Sequence, residues 1–353
     1  MFFYLLIILS ITILNNTYPI VVHLKILVIG YGSIGKRHVN NLLNIKDIEI
    51  IVCTKNKDAT NLKKNGIKVF PSISKSLKEK PDVGIICNET SFHIKTAIQL
   101  AKQNCHLFIE KPVSDSLSGI KILMNLIKKK KLISMIGCDM RFHKCINKIK
   151  KIIDDGDLGK ILSVRVENGS YLPLWHPWED YRKSYASKKK LGGGVVLTLI
   201  HEIDYLYWFF GKTNEVSAIT EKVSNLEISV EDLANILLRF KKNIIAEIHL
   251  DYFQQPGSRS CKIIGTKGTI FWDSNSNEIC LYNNLKKKWI SKFKYKNFQR
   301  NKQFVDELQY FLNCIKNKKQ TINPINDTGL EPLKISLAAK KSSLLKRTVV
   351  MKK

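Results

Sequence analysis

The sequence predicts two differently built halves: an α/β unit with a parallel sheet, then an α+β unit with a large, mostly antiparallel open sheet flanked by helices. Three observations predict this. The 353 residues exceed what one typical core organises and suit two. Over residues 25–109, continuous apolar strands alternate with helices, the mark of a parallel sheet covered on both faces. Beyond about residue 143, strand-like runs follow one another through short turns, as in antiparallel hairpins. The predicted units are 24–142 and 143–353, preceded by an apolar extension, 1–23.

The elements follow in order. Strands are predicted at 25–29, 48–53, 67–70 (closed by Pro71), 82–87 (opened by Pro81), 106–109 and 132–138. Helices are predicted at 36–44, 92–104, 114–131 and near 144–154. In the second half, strands 236–240 and 244–250 flank Lys241-Lys242-Asn243. Strands 262–264 and 269–272 flank the turn Gly265-Thr266-Lys267-Gly268. Helices return at 302–316 and 330–345. No internal repeat and no Pro- or Ser-rich linker separates the halves.

The formal net charge is +28. A nucleic-acid site concentrates its cations in one groove or face. Here the lysines run through the whole chain with abundant Asn and Ile, a composition typical of an AT-rich genome, so no nucleic-acid partner is predicted. Eight cysteines occur without a C-x-x-C pair. Several sit in apolar runs, so they read as small core residues of a reducing compartment, with neither disulfide framework nor metal site, and a cytoplasmic location is expected. Residues 2–14 are apolar, shorter than the about 20 residues of a membrane span, with no basic residue before them and no clear cleavage site. A start site placed too far upstream is the favoured reading, a membrane anchor the alternative.

Gly30-Tyr31-Gly32-Ser33-Ile34-Gly35 is G-x-G-x-x-G between a strand and a helix, the context that makes it a dinucleotide fingerprint and the first unit a Rossmann domain. The first glycine permits the turn, the second lets backbone approach a pyrophosphate, and the third lets helix pack on strand. Ser33 and Ile34 open the helix whose free N–H groups face the phosphates. The second strand ends in Cys53-Thr54-Lys55, without the acid that usually holds the ribose hydroxyls of NAD. Thr54 and Lys55 would suit the 2′-phosphate of NADP; Lys55 as one more solvated lysine is nearly as good a reading. The expected cofactor is therefore NAD or NADP.

Glu110-Lys111-Pro112 follows the fifth strand, at the sheet end where ligands bind. Gly192-Gly193-Gly194 precedes an apolar helix carrying His201, Glu202 and Asp204. A glycine-rich approach brings a helix close to a ligand. His201 reads equally as a core histidine or a general base. Tyr171, Trp175, His176, Trp178, Tyr181, Arg182 and Tyr185 are candidate substrate contacts; Arg182 suits a phosphate or carboxylate.

This ordered set, with Arg141-Phe142 and His201-Glu202-Ile203-Asp204, resembles the Gfo/Idh/MocA oxidoreductases, the group of glucose–fructose oxidoreductase and inositol dehydrogenase. The resemblance runs from about Lys25 to near the C-terminus. It implies that Lys111 stabilises the developing oxyanion and that His201 takes the hydroxyl proton. It implies Thr90, Ser91, His93, Glu110, Lys111 and Arg141 at the cofactor, and Lys111, Tyr171, Trp178, Arg182, Thr198 and His201 at the substrate. Two departures stand out. Glu89 occupies a position usually held by Pro. Leu197 and Thr198 stand where the family commonly has an acid, which puts the proton relay in doubt and leaves Asp204 as a candidate to orient His201. The implied activity is hydride transfer between the nicotinamide and a secondary alcohol of a sugar, sugar acid or nucleotide sugar. The segment 175–182 resembles a branch linked to surface-glycan pathways. A homodimer or homotetramer through the open sheet face is expected. The alternative is a dinucleotide-binding sensor of the same fold without turnover.

Overall fold

The computed structural model describes residues 23–351. The readings made of residues 2–14 therefore fall outside the described residues.

The first sheet has six parallel strands: β1 (Leu24–Ile29), β2 (Ile48–Cys53), β3 (Lys68–Phe70), β4 (Val83–Ile86), β5 (His106–Glu110) and β6 (Ser134–Gly137). Their order is β3-β2-β1-β4-β5-β6. The chain runs outward from β1 to β3, then restarts at β4 on the other side of β1. That reversal leaves a crevice at the carboxyl ends of β1 and β4, where ligands of such sheets bind. Ile26, Leu27 and Val28 are fully buried, as strands covered on both faces must be.

One face carries α2 (His93–Lys102) and α3 (Ile120–Lys130), through Ala97, Leu100 and Leu123. The other carries α1 (Ser33–Leu42), through Val39 and Leu42. A second helix on that face comes from far along the chain. It is α6 (Arg300–Lys316), whose Leu308, Phe311, Leu312 and Ile315 pack with Ile26 and Val28. By packing, these residues belong with the first sheet. The helix predicted from residue 114 begins at Ile120, because Gly119 turns the backbone to φ 74° just before it.

The second sheet has nine strands in the order β14-β13-β12-β11-β7-β10-β9-β8-β15. They are β7 (Ile161–Gly169), β8 (Thr213–Glu221), β9 (Leu233–Phe240), β10 (Ile245–Asp251), β11 (Ser258–Gly265), β12 (Gly268–Asp273), β13 (Glu278–Asn283), β14 (Lys288–Lys294) and β15 (Val349–Val350). All pairs are antiparallel except β7 with β10. The β9–β10 and β11–β12 hairpins form as predicted. β8 and β14 carry exposed polar residues that keep them from standing out in the sequence.

One face of this sheet buries Val164, Ile236, Ile248, Ile263 and Trp272 under three helices: α4 (Lys144–Asp154), α5 (His201–Phe210) and α7 (Glu331–Leu345). Burying each such side chain is worth roughly 1.5–3 kcal/mol. The other face is open. It exposes Ile219, Leu237, Ile264 and Phe271 among the ion pairs Arg165–Glu247 and Arg239–Glu215.

All eight cysteines are free and seven are buried. Among the described residues, no helix is long and apolar enough to cross a membrane.

Candidate active site

The glycine loop shows what each glycine is for. A Cβ on Gly30 (φ +92°) would lie 2.7 Å from the Cys87–Asn88 backbone, and one on Gly35 would lie 2.1 Å from the Gly30 carbonyl. Both glycines are imposed by packing. A Cβ on Gly32 would meet nothing within 4 Å. Gly32 caps α1 with no side-chain hydrogen bond, and the first turn holds no acid. Its leading N–H groups, Ser33 and Ile34 among them, have no partner within the helix and end at the crevice. Bare backbone, open space and an uncapped helix N-terminus fit a pyrophosphate.

Thr54 and Lys55 follow β2. The Thr54 hydroxyl accepts from the Asn56 N–H at 3.0 Å, and Lys55 is exposed. After β4, Thr90 is buried and Ser91 half-buried. Thr90 packs against Gly192: a Cβ there would come 2.8 Å from the Thr90 Cβ. Gly193 is held against the Tyr185 and Ala186 carbonyls, and Gly194 (φ +106°) against the Glu231 carboxylate. The glycine triplet thus answers to protein packing, where the sequence suggested close approach to a ligand.

Three residues expected at the cofactor have their side chains held by protein partners. His93 is buried; its ring nitrogens lie 2.9 Å from the Pro112 carbonyl and 2.8 Å from the Asn88 carbonyl. It therefore clips the loop after β4 to the loop after β5. Glu110 is buried with its Oε1 2.6 Å from Nε2 of His38 on α1. Arg141 is buried and commits Nε and Nη2 to the two oxygens of Asp204, each at 2.8 Å, while Nη1 donates to the Ile322 carbonyl at 3.2 Å. Asp204 is consequently engaged by Arg141 and does not orient His201.

Lys111 leaves the end of β5, half-buried, and its Nζ donates to the Thr198 carbonyl at 2.8 Å. That bond ties the first sheet to the turn leading into His201. An ammonium carries two further donors for a ligand. The Thr198 hydroxyl is buried without a partner among the described residues. His201 is buried at the first position of α5. Its Nε2 lies 3.3 Å from Oδ1 of Asp139, and its Nδ1 has no hydrogen-bond partner among the described residues. Burial, then the charges of Lys111, Arg259 and Arg300, hold this imidazole well below the usual histidine range. It is therefore neutral near neutral pH, as a proton acceptor must be.

Further residues complete the site. Gln303 of α6 donates from Nε2 to Oδ2 of Asp139. Arg259 Nε donates to Glu202 at 2.6 Å, and Asn168 to the other Glu202 oxygen at 3.2 Å. Glu307 of α6 is buried with no partner on either oxygen among the described residues. Sequence reasoning passes over Asp139, Gln303, Glu307, Arg259 and His38. One signal could have found Glu307: it falls on the apolar stripe Phe304–Leu308–Phe311 of α6.

The loop 171–187 divides. Trp175 donates to Ser170 Oγ at 2.7 Å and stands edge-on to Tyr252; Tyr181 accepts from the Glu227 N–H. Both are packing anchors. Trp178 is 75% exposed and lies against the His176 ring. Arg182 is exposed and paired with Asp180 and Glu227. It lines an open hollow with Ser187, Lys188 and Lys222 that includes neither Lys111 nor His201. Tyr171 and Tyr185 are half-buried.

A Rossmann crevice facing a lysine, with a neutral histidine contributed by a second, sheet-based unit, defines a nicotinamide-dependent oxidoreductase of two-part construction. The chain belongs to the Gfo/Idh/MocA family. The model of its oxidoreductase family NAD-binding Rossmann fold matches residues 24–138, and that of its C-terminal domain residues 146–271, and its cofactor is NAD or NADP. The chain is 28% identical over 340 residues to myo-inositol 2-dehydrogenase of Thermotoga maritima, covering 92% of this chain and 98% of that one. It is 23% identical to an inositol 2-dehydrogenase/D-chiro-inositol 3-dehydrogenase of Lacticaseibacillus casei, over 93% and 94% of the two chains. The structure of a levoglucosan dehydrogenase in complex with NADH matches with a TM-score of 0.82 at 17% identity, over 94% and 99% of the chains; this likeness is one of fold.

Proposed function

We propose that the protein oxidises, reversibly, a secondary alcohol of a sugar, sugar acid or nucleotide sugar. The observation that carries this reading is the Lys111–Thr198 bond, which brings a cation from the first unit against the turn that presents His201. A nicotinamide bound at the crevice supplies the hydride acceptor. Lys111 donates a hydrogen bond to the substrate oxygen and stabilises the charge it develops. His201, kept neutral, receives the hydroxyl proton. The names of the inositol dehydrogenases above support a polyol-like substrate, and the cations around His201 support one bearing a negative group. Thr54 and Lys55, with no acid beside them, support NADP. The open sheet face, with its scattered exposed Ile219, Leu237, Ile264 and Phe271, is proposed to join two copies of the chain.

The test follows nicotinamide absorbance with the full chain, NAD or NADP, and a panel of polyols, sugars, sugar acids and nucleotide sugars. Turnover is expected with one class. Lys111→Ala and His201→Ala should each lower kcat by about 10²–10⁴-fold while cofactor affinity stays within about threefold. Wild-type turnover that survives both substitutions sinks the assignment. Thr198, standing where the family commonly carries an acid, and Glu89, standing where it usually has Pro, favour a second reading, a dinucleotide sensor without catalysis. Tight cofactor binding with no turnover across the panel would support it.

A further inference from the structure

We infer that Asp139 is the counter-charge of His201, a positioning residue that supplies from β6 and the loop after it what the turn before His201 lacks. The inference rests on the reading of His201 as proton acceptor.

The other acids near the ring are engaged by protein partners, save Glu307 of α6, whose charge bears on Asp139 and Glu110 and not on His201. The turn Val195–Thr198 offers Leu197 and a hydroxyl without a partner among the described residues. Asp204 is clamped by Arg141. Glu202 is held by Arg259 and Asn168. Glu110 is engaged by His38. Among the described residues, Asp139 is the carboxylate paired with His201, 3.3 Å from a ring nitrogen. Its position is fixed from the far side: Oδ2 receives the Gln303 amide, so Oδ1 remains turned to the histidine. Both side chains are only 10% exposed, and at such burial an opposite charge acts with little screening.

The need for a counter-charge follows from what surrounds the ring. Lys111 from the end of β5, Arg259 from β11 and Arg300 from α6 all face His201 and disfavour its imidazolium. When the hydroxyl proton arrives, the ring carries +1 inside this cationic shell. A carboxylate at contact distance offsets that charge at the moment it forms. The groups facing Asp139 itself are Glu110, Lys111, Arg259 and Gln303, with Arg37 on α1 and Glu307 on α6. Burial and Glu110 push its carboxyl up; Arg259, Lys111 and the Gln303 amide pull it back.

The experiment compares the full wild-type chain with Asp139→Asn, Asp139→Glu and Gln303→Leu. Three quantities are read: NADH affinity by fluorescence, kcat and KM for alcohol oxidation with their pH profiles, and the His201 titration in histidine-labelled protein by NMR. Asp139→Asn should lower kcat about 100-fold, leave KM and NADH affinity within about threefold, and move the His201 titration to lower pH, because removing a negative neighbour disfavours the protonated ring. Asp139→Glu should recover part of kcat and of the titration shift. Gln303→Leu, which frees Oδ2, should show a smaller loss in the same direction. An unmoved His201 titration in Asp139→Asn overturns the inference, as does a kcat loss that Glu does not rescue. The titration needs no turnover. A wild type inactive on every substrate would therefore defeat the proposed function while leaving the pairing of Asp139 with His201 decided on its own evidence.

Discussion

The loop after β1 reaches its shape with backbone alone, whereas the region around His201 is assembled from buried charges. In the loop, Gly30 is required because the backbone after β4 leaves no room for a Cβ, and Gly35 because the Gly30 carbonyl leaves none. Around His201, the Arg141–Asp204 and Arg259–Glu202 pairs and Asp139 with Gln303 hold one another in place. The difference teaches where each region is vulnerable. The first fails by steric crowding within a few residues. The second fails when one member of a pair is removed and the other is left charged and dry.

The largest break is expected from Asp204→Ala. It leaves the Arg141 guanidinium, 4% exposed, without its bidentate partner, and loss of one member of such a pair costs about 3–5 kcal/mol. Denaturant unfolding reads it directly, and a loss below 1 kcal/mol would mean that Arg141 finds other acceptors. Gly35→Ala comes next. Its Cβ would sit 2.1 Å from a backbone carbonyl that cannot swing aside, so α1 must lift from β1 at a cost of about 1–3 kcal/mol, with cofactor binding lost alongside. Gly32→Ala sharpens the contrast. Its Cβ meets no protein atom, so stability should stay within about 0.5 kcal/mol. Dinucleotide affinity, measured by titration, should fall about tenfold or more; unchanged affinity would place the phosphates elsewhere.

The smallest effect concerns pH. Burial, with Glu110 and Asp139 nearby, holds the Glu307 carboxyl well above its ordinary 4.5. The folded chain therefore keeps a proton that the unfolded chain releases above about pH 4.5. The corresponding stability is complete below that pH and drains away as pH rises toward the folded-state value. Glu307→Gln keeps the shape without the ionisation. Its advantage over wild type should be near zero at pH 4 and grow by about 1 kcal/mol between pH 5 and pH 6, as read from melting curves.

The same contrast explains what the sequence could disclose. The glycine fingerprint spans six residues, and the strands of the first sheet are continuous apolar runs, so both can be read locally. Lys111 and His201 are marked by motifs of their own. Their surroundings are not local: His38 lies 72 residues from Glu110, and Gln303 164 residues from Asp139. No periodicity links such positions. Arg141, Glu110 and His93 read as ligand contacts in a motif; in the fold their side chains are also held by Asp204, His38 and two backbone carbonyls, partners that only packing shows. β8 and β14 escape detection for a related reason. Each turns exposed polar residues to solvent, and these dilute the strand pattern.

The helix α6 has a consequence for how the chain is made. Its Phe311 and Leu308 complete the core beneath β1 and β4, and its Gln303 braces the acid beside His201. On the ribosome, every strand of the first sheet emerges long before residue 316. Until that helix arrives, one face of the sheet is missing a wall, and its apolar strands await a segment that begins 163 residues after β6 ends (300 against 137). Maturation of the first sheet is thereby coupled to synthesis of residues 300–316, and a chain truncated before residue 300 would lack both a sealed core and a supported proton acceptor.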